Sequence, residues 1–273
     1  SSDSASARAL ANVLSLTGAL TLGDAANNGA LTLSGNAALT GNTTLTVESA
    51  ATLSGILSGA YNLTTAGASE LTLSGTNSFS GTTTVNAGTL TLAGGAALAD
   101  TMAVTVDANG LLKLAASETI ATLAGAGNVN LQANTLTVGG GANTTFSGVL
   151  SGAGALVKNG AGVFTLTNAN TFSGGVSLSA GALEAGNNAA LGTGALTFVG
   201  GRLSSDSATA RTLANALSLS GALTLGDATN NGALTLSGNA ALTGNTTLTV
   251  ASAATLSGIL SGAYNLTTAG ASE

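Results

Sequence analysis

The sequence predicts an all-β protein, one continuous parallel β-solenoid over residues 1–273 whose coils take about 20 to 25 residues each. Three observations carry this. Short apolar runs alternate residue by residue with Thr or Ser, as in Leu31-Thr32-Leu33 and Leu71-Thr72-Leu73, which is the period of a half-buried strand. Gly, Asn, Asp or Ser clusters close each run, at intervals of roughly 8 to 15 residues. The chain also repeats itself: Ser1 to Glu70 returns as Ser204 to Glu273 with six differences in 70 positions, a long period of 203.

A shorter module lies inside that period. Residues 54–90 and 147–183 align without gaps at an offset of 93, with 18 of 37 positions identical. Five glycines coincide: Gly55/Gly148, Gly59/Gly152, Gly67/Gly160, Gly81/Gly174 and Gly88/Gly181. The expectation is that both copies turn the backbone at the same points, since Gly enters left-handed geometry without steric cost.

The first segment, residues 1–14, is Ala-rich and admits a short helix or an irregular coil. Nothing caps a helix there, so an irregular rung leading into Leu14-Ser15-Leu16 is expected. From Ala19 the alternation is plain: Leu20–Leu22, Leu31–Leu33, Leu45–Val47, Leu71–Leu73, Leu90–Leu92, Val104–Val106, Leu112–Leu114, Val129–Leu131 and Leu136–Val138. Leu and Val turn inward, and Thr turns outward because its branched side chain fits the pleat while its hydroxyl meets water. The spacing admits antiparallel hairpins or a coiled stack. Two-residue Asn-Gly turns between matched strands are not the rule, which favours the stack. Each coil then buries its apolar face only against its neighbours, around a column of Leu, Val, Ala and Ile. At about 4.8 Å per coil, one long period makes roughly nine coils, some 45 Å. Phe79 and Phe172, at matching positions, are expected to stack inside or near a turn; the alternative is an aromatic platform for sugars.

Gly160-Ala-Gly-Val-Phe164-Thr-Leu166, Asn170-Thr171-Phe172-Ser173-Gly174-Gly175 and Ala180-Gly181-Ala-Leu183 together resemble the passenger-associated repeat of bacterial autotransporters. So does Asn77-Ser78-Phe79-Ser80-Gly81-Thr82-Thr83-Thr84-Val85-Asn86-Ala87-Gly88-Thr89-Leu90. The resemblance implies a right-handed parallel β-helix on a bacterial cell surface, exported across the outer membrane and anchored by a C-terminal barrel outside this segment. It brings no catalytic residue with it.

Composition narrows the classes. Hydrophobic residues make up 44% and charged residues 6%, yet Gly, Thr, Ser or Asn interrupts every apolar run too early for a helical membrane span. The runs are too short, and the aromatics too few at 3%, for the strands and girdles of an outer-membrane barrel. A net charge of −6, from 5 basic and 11 acidic residues, repels a phosphate backbone, so nucleic acid is not an expected partner. Cys, His and Pro are absent, which removes disulfides, thiol nucleophiles, the commonest metal ligand and slow prolyl isomerisation. The start at Ser1 without a leader, and the end at Glu273 where the matching Glu70 runs on into Leu71, are expected of a piece of a longer polypeptide.

Reactive groups do not cluster along the chain. The carboxylates are Asp3, Asp24, Glu48, Glu70, Asp100, Asp107, Glu118, Glu184, Asp206, Asp227 and Glu273, and Asp100 and Asp107, seven apart, are expected as solvated turn residues. A carbohydrate-active enzyme on this scaffold would need at least three carboxylates converging from neighbouring coils. Lys158 stands where the family pattern places a base, but its counterpart is Thr65, which speaks against a chemical duty. Gly139–Gly141 lacks the following Lys and Ser or Thr of a phosphate loop, and no calcium-binding nonapeptide occurs. Thr-x-Thr triplets at 44–46, 89–91, 135–137, 165–167 and 247–249 raise the alternative of an ice- or carbohydrate-binding face, though their unequal gaps argue against one array. No catalytic, cofactor-binding or metal-binding residue is expected. The expected role is a stalk or fibre segment of a repetitive surface adhesin, in contact with other cells, surfaces or copies of itself.

Overall fold

The computed structural model describes residues 5–270. The chain divides into two compact units, Ser1–Leu136 and Thr137–Glu273. Each is a solenoid of short parallel strands, and the described residues contain no helix.

In the first unit, one column stacks Arg8–Leu10, Leu31–Leu33, Ala51–Leu53, Glu70–Leu73 and the end of Thr83–Leu92. A second stacks the last part of Ala37–Val47, then Leu63–Gly67, then the start of Thr83–Leu92. A third joins Leu14–Leu16, Ala37–Leu39 and Leu57–Ser58. All these pairings are parallel, so the hairpin alternative falls away. Through the middle coils the register steps evenly, from Leu31 to Ala51 and from Thr43 to Leu63. Coils as long as Gly18 to Thr43 and as short as Leu111 to Asn128 also occur. The short one falls below the expected coil length. Its corner holds Gly127, where a Cβ would come 2.2 Å from the Asp107 carbonyl oxygen, so only glycine lets the chain turn so tightly.

The pleat sorts the side chains as the alternation predicts. Leu31 and Leu33 point inward at 4% and 6% exposure around a half-buried Thr32, and Leu45, Leu63, Leu71, Leu73 and Leu90 are fully buried. Each such leucine contributes about 1.5–3 kcal/mol of apolar burial. All five phenylalanines are fully buried, Phe79 and Phe172 among them, which ends the reading of those two as a sugar platform. At the start, residues 11–13 are irregular between the strands Arg8–Leu10 and Leu14–Leu22, as expected for an uncapped segment; Ser1–Ser4 lie outside the described residues.

The second unit stacks Ala155–Lys158 on Val176–Leu178, and Val163–Leu166 on Ala182–Ala185. Its strands Arg211–Leu213, Leu217–Leu225, Leu234–Leu236, Ala240–Val250 and Ala254–Leu256 restate those at Arg8–Leu10, Leu14–Leu22, Leu31–Leu33, Ala37–Val47 and Ala51–Leu53, each shifted by one long period. The register is restated too: Leu217 pairs Ala240 and Gly221 pairs Thr246, as Leu14 pairs Ala37 and Gly18 pairs Thr43.

The paired glycines serve two purposes where the sequence suggested one. Gly59/Gly152 and Gly88/Gly181 do lie at positive φ, between 66° and 114°. Gly55, Gly81, Gly160 and Gly174 do not. There a Cβ would come within 2.1 to 2.5 Å of backbone in the adjacent coil, so the constraint is coil-to-coil approach rather than left-handed geometry.

Candidate functional site

The repeat motif is built around asparagine. In the first unit Asn77 Oδ1 accepts from Leu57 N at 2.7 Å and its Nδ2 donates to Ala97 O at 2.8 Å, so one buried amide ties together three coils. In the second unit Asn170 repeats this with Leu150 N at 2.8 Å and Ala190 O at 2.6 Å. Asn36, Asn42 and Asn62 accept from Ile56 N, Asn62 N and Thr82 N one coil on. In the sequence these asparagines read only as turn residues, and the ladder went unseen. Its signal was present, because every one of these bonds spans the same distance along the chain, one coil.

Charged residues concentrate at one corner of the second unit. Glu184, 7% exposed, sits on the strand Ala182–Ala185 and accepts from Thr165 Oγ1 at 2.9 Å, Arg202 Nη2 at 3.3 Å and Asn230 Nδ2 at 3.3 Å. Arg202 also pairs with Asp227, whose Oδ1 accepts from the backbone N–H groups of Thr229 and Asn230 at 2.6 and 3.1 Å. Close by in the chain, Arg211 Nη2 meets Asp206 Oδ1 at 2.9 Å. Arg202 thus bridges Glu184 and Asp227 while Arg211 pairs with Asp206, so each of these three carboxylates is held by a guanidinium. Arg202 carries this cluster and was not singled out in the sequence; Glu184 precedes it and Asp227 follows it by close to one coil each.

The remaining acids and bases act locally. In the first unit Glu70 Oε1 accepts from Thr91 Oγ1 at 2.6 Å and lies 3.7 Å from Lys113 Nζ. Asp24, partly exposed, accepts from Ala26 N at 2.8 Å and Asn27 N at 3.4 Å, and these donors hold its carboxyl below the usual aspartate range. Its copy Asp227 makes the same turn but adds Arg202. Asp100 is exposed and Asp107 half-buried on the strand Ala103–Leu114. Glu118, 3% exposed, accepts from Ala97 N at 3.0 Å. Lys158, 1% exposed, donates through Nζ to the carbonyls of Gly160 and, at 3.5 Å, Ala180, and burial pushes its ammonium below the usual lysine range. Asp3 and Glu273 lie outside the described residues. Among the described residues, no three His, Cys, Asp or Glu gather where they could hold a metal ion.

A hollow of about 270 Å³ in the second unit is lined by Asn188, Ala189, Gly192, Thr193, Ala214 and Asn215. None of these titrates. Asn188 Oδ1 accepts from Thr212 N at 3.0 Å, and Asn215 Nδ2 faces the carbonyls of Leu191, Gly192 and Gly194.

Threonines do stack in register. Thr32, Thr52, Thr72 and Thr91 form one column of the first unit, and Thr44, Thr64, Thr84 and Thr105 form another. The triplets at 44–46 and 89–91 lie on these different columns, so they do not combine into a two-wide array.

Two segments, 63–92 and 156–185, match the model of the passenger-associated-transport-repeat, and they stand at the same offset of 93 as the two modules. The chain therefore carries two repeats of the autotransporter passenger type. Over 54 residues it is 46% identical to the adhesin BmaC autotransporter of Brucella suis biovar 1 (strain 1330). That match covers 20% of this chain and 2% of the relative's length.

Proposed function

We propose that this chain is a spacer segment of a surface-displayed adhesin passenger, whose coils carry mechanical load and hold an adhesive region away from the cell. One observation carries the reading: the two matched repeats are a parallel stack in which the motif residues Asn77/Asn170 bond coil to coil, Gly81/Gly174 lie against the adjacent coil and Phe79/Phe172 are buried in the core. The ion pairs of Arg202 run in the same direction, coil to coil, and with that of Arg211 they leave no free acid in the cluster to act on a substrate. Stacking also explains how a sequence can grow by whole periods, since each added coil brings its own burial. Contact with other cells, with surfaces, or with copies of the same chain, as in aggregates, biofilms or filaments, is the role this implies. The setting is the exterior of a bacterium, with export across the outer membrane through a barrel elsewhere in the polypeptide.

Proteins bearing one, two and three copies of the long period test this by electron microscopy together with cell-adhesion assays. Rods lengthening by roughly 45 Å per copy, with adhesion that depends on the length displayed, support the reading. Flexible strings, globules, or turnover of a polysaccharide by the isolated segment contradict it.

A further inference from the structure

We propose that Glu118 makes the corner above Ala97 a pH-responsive element: uncharged, it is one more rung of the side-chain ladder; charged, it weakens the hold on the loop of residues 94–101. The ladder shows what is unusual there. Leu57 N donates to Asn77, Asn77 donates to Ala97 O, and Ala97 N donates to Glu118 Oε2, so the carboxyl continues a line that begins with an amide. In the second unit the same line runs from Leu150 through Asn170 to Ala190 O, and Ala190 N donates instead to the Asn187 carbonyl at 3.1 Å. Where one unit closes this amide on a backbone carbonyl, the other closes it on an acid.

The acid is poorly provided for when ionised. It is 3% exposed, and Oε1 has no hydrogen-bond partner. Among the described residues no cation answers it. Of the segments packed around it, 74–92 and 128–136 contain no titratable residue, the loop 93–102 contains Asp100, and the strand Ala103–Leu114 contains Asp107 and Lys113. Lys113 turns to Glu70 instead, and Asp100 adds a like charge. Burial is the largest influence and raises the carboxyl above the usual glutamate range, against the opposing pull of the Ala97, Leu98 and Thr119 N–H groups. The closed corner therefore binds a proton more tightly than the opened one. Stability is gained as the pH falls through the raised value, is complete below the ordinary glutamate value, and is lost again as the pH rises.

Residue-resolved hydrogen exchange on the whole chain, corrected for intrinsic rates, tests this at the Ala97 and Leu98 amides of the wild type and of Glu118→Gln. Protection rising several-fold on acidification in the wild type, and level in the glutamine variant, is the expected result. Protection that stays level or falls in the wild type, or rises equally in both proteins, overturns the proposal. Carboxyl-carbon NMR of Glu118 in the wild type needs no variant. A titration midpoint above that of a free glutamate agrees, and one at or below it overturns the proposal independently.

Discussion

Thr65 and Lys158 occupy the same position in two copies of one repeat and meet the interior in opposite ways. Lys158 sends its ammonium along the corner to the carbonyls of Gly160 and Ala180. Thr65 is 2% exposed, and its hydroxyl has no partner; Thr83, fully buried, is in the same state. A buried hydroxyl without a bond keeps the cost of leaving water and recovers nothing. Thr65→Val and Thr83→Val keep shape and branching while deleting that group, so each is expected to stabilise the first unit by about 1 kcal/mol in urea unfolding. Loss of stability in both would mean that the hydroxyls are bonded after all. At this scale the sequence was a partial guide. The sequence reading turned threonine outward, so the buried threonines at 65 and 83 depart from it, and which inward polar group finds a partner depends on atoms one coil away.

At the scale of strands and corners, the cluster around Arg202 joins coils of the second unit through charge. One guanidinium spans Glu184 and Asp227, whose side chains are 10% and 11% exposed. Removing it leaves two nearly buried carboxylates facing each other without a cation. Arg202→Ala is expected to destabilise the second unit by about 2–3 kcal/mol, below the figure for fully buried pairs because Arg202 itself is 27% exposed. Chemical denaturation followed by hydrogen exchange at residues 184–230 checks this, and a change of about 0.5 kcal/mol or less, that of an ordinary surface substitution, would count against it. Strands were legible from alternation alone, as Leu31–Leu33 and Leu71–Leu73 show, because a two-residue period is a local property. The cluster and the asparagine ladder were not. The asparagine bonds keep one even spacing that has meaning only once the coil length is known, and the partners of Arg202 lie at unequal spacings, so both needed the register.

For the whole molecule, the repeat itself demonstrates that burial is supplied by neighbouring coils. Leu57 is fully buried while its copy Leu260 is 45% exposed; conversely Leu10 is 47% exposed while its copy Leu213 is 1% exposed. Nearly identical sequence, placed with or without a coil on one side, takes opposite burial. This is the behaviour of a linear array, in which stability accumulates by nearest-neighbour terms. The short and long repetitions in the sequence announced such an array, and segments 63–92 and 156–185 match the passenger-associated-transport-repeat. Parallel stacking is the claim on which everything else rests. The chain has no cysteine, so pairs introduced at Thr52/Thr72, Thr32/Thr72 and Thr32/Thr91 can carry nitroxide labels without background. Electron paramagnetic resonance should give separations that grow by about 4.8 Å per coil from the first pair to the third. Separations that fail to increase in that order would show that these threonines do not stack, and the parallel solenoid would be wrong.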